Sequence, residues 1–466
     1  MKKYYGLASS LLTLLLVGCA LPEPPTHDEL RSSGQFAARN LDDPALRMFI
    51  EGNTQAPVKT WPPRRWSFNQ LNLAAFYYHP DLDVARAQWQ VAKAGEITAG
   101  QIPNPSGGPG IGYDKTQPYP LLIPFNFSIP IETADKRQLR VEGTQDRSKA
   151  AGYNIIATAW TVRNRLANAL INDYAAMESV ALYRKQEALQ KPVVDIFEQR
   201  SAAGQSLSLN ASQTLVAYQQ TLLSEKNAEQ RQVEAEVNLA SALGVPVSAV
   251  KHVRIAWDDI TAEDKNDALA SRSYAEALRN NVQLKAALAE YVAAHAALKL
   301  ELAKRIPDID IGPAYSTSKS GDIYTIGISM TLPIFNDNEG PIAEAVARRK
   351  EAAERFNALQ AKIIGSIERA WAGYKAAFST LKTADQLLAA QQAKAKQLAS
   401  QVDDSAVSKL PMLLAQSEIE TAAIARLNTQ VQWLKAKAAL EYALEQPLFG
   451  GHVGRLTQAD PRKGKP

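Results

Sequence analysis

Between Leu121 and Ile131 the chain alternates. Leu121, Ile123, Phe125, Phe127, Ile129 and Ile131 fall on one side, and Leu122, Pro124, Asn126, Ser128 and Pro130 on the other. A period of two predicts a strand with one apolar face. Immediately afterwards the period changes. Val162, Leu166, Leu170, Tyr174, Met177 and Ala181 recur every three or four residues, like one stripe of a helix. This helical pattern runs from about Lys136 to Ala203. About 68 residues at 1.5 Å each make a helix of roughly 100 Å. Globular helices average about a dozen residues, so a strand pair feeding so long a helix is itself an architectural signal. Pro192 interrupts the run and predicts a kink or bend near Lys191.

The pattern then repeats. Ile102-Pro103 and Ile306-Pro307 each end a helix, and Ile129-Pro130-Ile131 and Leu332-Pro333-Ile334 each close a strand pair. Leu239, Ala242, Leu243 and Pro246 correspond to Leu440, Ala443, Leu444 and Pro447. Each half therefore reads as a helix (about Phe68 to Gly100; Tyr274 to Arg305), a strand pair, a long helix and a return helix. The first strand pair is expected at Gly110 to Thr116 and Leu121 to Ile131. The second is expected at Ile309 to Thr317 and Tyr324 to Ile334, with a hairpin tip at Ser320-Gly321-Asp322. The second long helix is expected from Pro341 to Asp403, and the return helices over Ser208 to Gly244 and Pro411 to Gln446. Alanine-rich stripes such as Ile363, Ile367, Ala370, Tyr374, Ala377 and Leu381 predict close, coiled-coil-like helix packing. Val245 to Ala270 reads as a connector, set as a small belt outside the long helices.

Composition narrows the function. The 466 residues carry a net charge of +4 with both signs interspersed, which gives no nucleic-acid patch. One cysteine excludes an internal disulfide and a cysteine metal cluster. No apolar run reaches about 18 residues, so any membrane crossing must use strands closed into a barrel. No two of His27, His79, His252, His295 and His452 stand at metal-ligand spacing on one helix face. No nucleophile elbow or Walker loop is present. Gly107, Gly108, Gly110 and Gly112 lead into a strand rather than a helix, so they read as a flexible approach to it and not as a phosphate cradle. The chain is expected to be no enzyme and to hold no cofactor or metal.

Lys2 and Lys3 precede an apolar run from Leu7 to Val17, the pattern of a secretory signal. Its end, Leu16-Val17-Gly18-Cys19, resembles a bacterial lipobox. That resemblance implies cleavage before Cys19 and lipid attachment to its thiol; the alternative is an ordinary signal peptide with a chance cysteine. Ala20 stands where sorting rules place Asp in proteins kept at the inner membrane, which implies the outer membrane. From Leu21 to about Arg65 the chain is polar and proline-bearing and reads as extended. The expected organisation is a signal peptide (1–18), a lipidated extended segment (19–66), repeat 1 (67–244), a connector (245–270), repeat 2 (271–447) and a tail (448–466).

A lipobox followed by two copies of helix, strand pair, long helix and return helix resembles the outer-membrane efflux protein family, the TolC-like exit ducts. Leu332-Pro333-Ile334-Phe335 with Ile342-Ala343-Glu344-Ala345 matches the family's habits. So do Ala203-Gly204-Gln205-Ser206-Leu207 at a hairpin tip and Leu239 through Pro246 at a return-helix end. The run Ile131 to Arg137 is similar to that of the heavy-metal efflux branch. The resemblance implies a mainly α chain with a small β part: a TolC-like α-barrel of long coiled helices under a trimeric 12-stranded β-barrel. Four strands per chain cannot close a membrane barrel, since bacterial barrels need at least eight; three chains supply twelve.

The implied function is the exit duct of a tripartite efflux or export system, lipid-anchored in the outer membrane and extending into the periplasm. The implied partners are two further copies, a periplasmic adaptor, an inner-membrane pump and outer-membrane lipid. The alternative is a periplasmic adaptor-type lipoprotein, which would show one helical hairpin rather than two. Gly204, Gln205, Ser206, Ser405 and Val407 are the expected adaptor-contact tips, and the second tip lacks a glycine equivalent to Gly204. Asp403 and Asp404, repeated threefold, are the candidate pore constriction, against a reading as capping carboxylates at a solvated helix end.

Overall fold

The computed structural model describes residues 29–113, 115–116, 120–262, 276–318, 321–401 and 409–450. The expected lipidation site Cys19 and the second tip, with Asp403, Asp404, Ser405 and Val407, lie outside them. Helix α1 (Glu29–Ala37) belongs to a separate N-terminal unit that ends at Arg39. All elements named below belong to the second unit, which starts at Asn40.

That unit opens with α2 (Pro44–Thr54). The extended segment expected over residues 19–66 is thus corrected, because two helices occupy part of it. Asp43 caps α2 by accepting the Ala45 amide, and Pro44 takes the first helical position, where its missing N–H costs nothing. Leu46 and Ile50, four apart, are fully buried, and Phe49 meets the Tyr77 ring at 5.4 Å. Prolines read as breakers are here a helix start and the chain beyond the helix end.

The helix expected over Phe68 to Gly100 is two helices, α3 (Phe68–Tyr78) and α4 (Pro80–Gly100). Ser67 and Gln70 form a reciprocal capping box on α3, and the His79 side chain caps α4 by accepting the Asp81 amide. The break recurs in the second half, where residues 276–280 are helical and α8 (Val282–Ala303) restarts after the Asn281 cap. Strands β1 (Ser106–Pro109) and β2 (Gly112–Tyr113) begin four residues earlier than expected and are interrupted between them. Strand β3 is Leu121–Ile131. Helix α5 (Lys136–Ala202) has 67 residues, continues through Pro192 and is followed by α6 (Ser208–Leu243).

Among its described residues the connector carries a 3₁₀ turn, Val247–Ala249, and a short α-helix, α7 (Asp258–Thr261). Its Ile255 pairs with Trp66 in a parallel bridge, and its Trp257 meets Tyr174 of α5 at 5.5 Å. The second half continues with β4 (Ile309–Ser318), β5 (Gly321–Met330), α9 (Glu339–Gln401) and α10 (Lys409–Leu444). Strand β5 starts three residues earlier than expected and ends four earlier, because Gly321 and Asp322 pair with Ser318 and Thr317 instead of forming the tip.

The chain is mainly helical with one small antiparallel sheet, ordered β1-β3-β4-β5, with β2 also on β3. The central pairing, β3 with β4, joins the two halves. The helices are laid out in the same order. Near the sheet, α4 packs on α5, α5 on α8 and α8 on α9; farther away, α6 packs on α5, α5 on α10 and α10 on α9. One flank is therefore β1, α4 and α6, and the other is β5 and α9.

The core sits where α3 crosses the long helices. Phe68, Leu71, Leu73 and Phe76 meet Val162, Leu166 and Leu170 of α5, Leu239 and Leu243 of α6, and Trp433 and Leu434 of α10. Inside it Arg163 and Glu441 are both buried and paired, Nε to Oε1 at 2.7 Å and Nη2 to Oε2 at 3.1 Å. The second carboxylate oxygen also accepts the amides of Leu448 and Phe449, and Arg163 donates to the Phe449 carbonyl at 2.5 Å. The guanidinium lies 4.7 Å from the Phe68 ring centre. Removing one partner of such a pair costs about 3–5 kcal/mol, whereas replacing both by packed apolar residues is often neutral. Glu441→Ala is therefore expected to lower the unfolding temperature sharply, and Arg163→Met with Glu441→Leu to recover most of the loss, measured by differential scanning calorimetry.

Candidate functional site

The first candidate surface is the sheet. Register places Phe125 opposite Tyr315, Ile129 opposite Ile311 and Ile131 opposite Ile309. It also places Ile311 opposite Ile328, Pro313 opposite Ile326 and Tyr315 opposite Tyr324. Opposed residues share a face, so a single apolar face crosses the whole sheet. Its side chains are exposed: Tyr324 77%, Ile326 80% and Ile328 70%. The other face carries small and polar residues, among them Asn126, Ser128, Gly312, Ala314, Ser316, Thr325, Gly327 and Ser329. Among the described strand residues the only charges are Asp310, which accepts from Ser128 Oγ at 3.0 Å, and Asp322, which accepts from the Tyr315 hydroxyl at 3.0 Å. Gly107 lies over Phe127, where an added Cβ would stand 2.8 Å from the ring; Gly107 and Gly108 belong to β1 and Gly112 to β2, so the patch expected as a flexible approach is corrected to part of the sheet itself.

The second surface is the junction between sheet and helices. Ala134, Asp135 and Asn338 adopt left-handed backbone there, φ 54°, 55° and 60°, and α5 and α9 start directly after Asp135 and Asn338. Lys136 is buried and reaches Asp308 at 2.7 Å and the Ile306 carbonyl at 2.5 Å. The Thr133 amide donates to Asp308 at 2.9 Å, and the Thr133 hydroxyl donates to the Pro307 carbonyl at 2.8 Å. Burial pushes the Asp308 carboxyl up, but Lys136 and Thr133 outweigh it and hold it below its ordinary value.

The third is the first helical tip. Helix α5 ends in a Schellman motif: Gln205 N–H bonds to the Arg200 carbonyl at 2.8 Å and Gly204 N–H to that of Ser201 at 3.0 Å. Gly204 has φ 69°, the left-handed geometry that its place in the sequence predicted. Gly204 and Gln205 are exposed and Ser206 is half-buried. Sequence reasoning missed Leu207 and Leu209 beside them, 72% and 60% exposed. Their signal was available: Leu209, Val216 and Leu223 follow a seven-residue spacing on α6 and are all exposed.

The family model described as outer membrane efflux protein matches residues 273–445. That stretch of the second half is thus similar to outer membrane efflux proteins. The family is one of channel proteins rather than of enzymes. The cobalt-zinc-cadmium resistance protein CzcC of Cupriavidus metallidurans is 22% identical over 287 residues, 59% of this chain and 65% of that protein. The pyoverdine export outer membrane protein OpmQ of Pseudomonas aeruginosa is 24% identical over 243 residues, 50% of each. These alignments therefore span less than two thirds of either relative. Among solved structures, the outer-membrane channel OprN superposes with a TM-score of 0.67 at 16% identity, covering 91% of this chain and 98% of that one. The likeness in fold thus extends over the first half, beyond the matched segment. Among its described residues no group of three or more His, Cys, Asp or Glu is placed to hold a metal ion.

Two carboxyls of this chain stand above their ordinary range. Burial, with Glu236 nearby, pushes Asp173 up to about 6, and burial pushes Glu445 up to about 7 despite the Val282 amide at 2.7 Å. Both favour the protonated form in the fold. Their contribution to stability is present below the ordinary carboxylate range and is lost as pH rises through about 6 and 7. Glu445→Gln is expected to leave the unfolding temperature at pH 4 almost unchanged and to raise it at pH 8, read by a thermal scan at both values.

Proposed function

We propose that this protein is the outer-membrane exit duct of a tripartite efflux or export system. The observation that carries the reading is the sheet: strands of 10 and 11 residues with one exposed apolar face and one small, polar face. Transmembrane strands need about 9–11 residues, and the alternation of a lipid face with a wet lumen is that of a membrane barrel. The four strand lanes are too few to close, and both edge strands are paired on one side only among the described residues. Three copies supply twelve. The long helices continue the same lateral order and carry the conduit through the periplasm.

In this reading the Cys19 thiol carries lipid and anchors the chain to the outer membrane. Gly204, Gln205 and Ser206, with Ser405 and Val407 on the second tip, meet a periplasmic adaptor, which couples the duct to an inner-membrane pump. The exposed Leu207 and Leu209 give the first tip an apolar contact of the kind a helical partner covers. Asp403 and Asp404, repeated three times, form the carboxylate ring that narrows the pore and favours cations.

Two experiments test this. A charge in mid-bilayer on a lipid face costs about 2–4 kcal/mol for Arg, so Ile326→Arg is expected to abolish heat-modifiable trimers in the outer-membrane fraction, while Ser329→Arg leaves trimers and lowers conductance. Equal tolerance of both would remove the assignment of faces. In planar bilayers the unaltered protein is expected to conduct, and Asp403→Ala with Asp404→Ala to raise conductance and weaken cation preference. Conductance and selectivity unchanged in both would end the ring.

A further inference from the structure

The joint between the halves is visible within one chain, and the chain carries the parts to make it again. In the first, the strand-to-helix turn of the first half, Ile131 to Lys136, clasps the helix-to-strand turn of the second, Ile306-Pro307-Asp308, through Thr133 and Lys136. The second half has its own strand-to-helix turn, Ile334 to Glu339, built the same way. Asp135 and Asn338 occupy equivalent positions, share left-handed backbone and each precede a long helix. The first half has its own helix-to-strand turn, Ile102-Pro103-Asn104. Both of these turns are uncovered: Ile102 is 67% exposed, Ile334 73% and Phe335 101%. They lie on opposite flanks, one after α4 and the other after β5, so no single copy brings them together.

Resting on the reading as a closed multi-copy duct, we infer that the Ile334 to Glu339 turn of one copy clasps the Ile102-Pro103-Asn104 turn of a second copy. The occupant of the open flank is this chain itself, joined head to tail. The residue differences between the two turns fit that use. Glu132, bound within its own half by Arg140, is replaced at the equivalent place by Phe335, and Arg140 by Ala343. An internal ion pair thus becomes an apolar side chain that nothing among the described residues covers. The pair Lys136 and Asp308 becomes Glu339 and Asn104; both members change, so a carboxylate meets an amide donor rather than a second carboxylate. Carried to the strands, the equivalence of Ile123 opposite Thr317 places Ile326 opposite Tyr113 of the second copy.

Cysteine pairs in the full-length protein, oxidised in outer-membrane fractions, test this. Asn336→Cys with Asn104→Cys is expected to give species at multiples of the single-chain mass, and each single variant none, which also controls for Cys19. Ile326→Cys with Tyr113→Cys reports closure of the sheet independently. A link at 326/113 without one at 336/104 leaves the duct standing and overturns the joint. Links at neither, with no conductance, overturn both. A nitroxide on Phe335→Cys is expected to be immobilised and shielded from oxygen; a mobile label, exposed to oxygen dissolved in lipid, would place that side chain in the membrane and overturn its seat on a second copy.

Discussion

A sheet with two unpaired edges and an exposed apolar face cannot satisfy its own backbone and side chains at once. In a bilayer every strand N–H and C=O needs a partner, and an open edge leaves a row of them without one. Edge β1 and edge β5 each have one neighbour among the described residues, and the residues between them place isoleucines, phenylalanines and tyrosines on one continuous face. Continuation of the same order by further copies resolves both demands together. The alternative, an apolar face covered by the chain's own helices, is not what the described residues show: their helices pack on each other along the same lateral order instead.

That shared order depends on the turns. A strand lane of about 4.8 Å and a helix row of about 10 Å cannot run side by side for long without one adjusting to the other. Left-handed residues at Ala134, Asp135 and Asn338 make the change of direction in a few residues. They are not glycines, and such backbone costs free energy in a non-glycine residue; the hydrogen bonds of Thr133 and Lys136 on one side, and of Asn338 to the Glu301 carbonyl at 2.7 Å on the other, hold it in place. The junction is a fixed joint rather than a linker, which is why sheet and helices keep one lateral order.

Much of this was legible in the residues, and the parts that were not share a cause. The period of two in Leu121 to Ile131 and the helical stripe through Val162 and Leu170 are local, and both elements stand where the pattern put them. Gly204 was legible because a left-handed helix end has a simple chemical signature. The break at His79-Pro80 was not, because apolar residues continue across it and Pro80 at a first helical position looks the same as a mere interruption. Helix α2 was hidden by the prolines around it. The early start of β5 was hidden because Gly321 looks like a tip yet pairs with Ser318. Arg163 and Glu441 were unreadable for a different reason: they are 278 positions apart, and nothing near either one announces the other.

That pair also answers a question the alanine-rich stripes raise. Small residues let α5, α9 and α10 approach closely, but a surface of alanines is nearly the same after a shift of one turn, so it fixes distance better than register. An ion pair between α5 and α10, held by two parallel hydrogen bonds and two backbone amides, has one register only. A shift of one turn, about 5.4 Å, would leave Arg163 charged and unpaired beside Phe68, at a cost larger than the small packing differences between registers. Register at this point sets the height of both helical hairpins relative to the sheet. In the duct proposed above, copies meet at strand edge and at tip together, which requires that height to be single-valued, and the buried charge supplies what the alanines leave open.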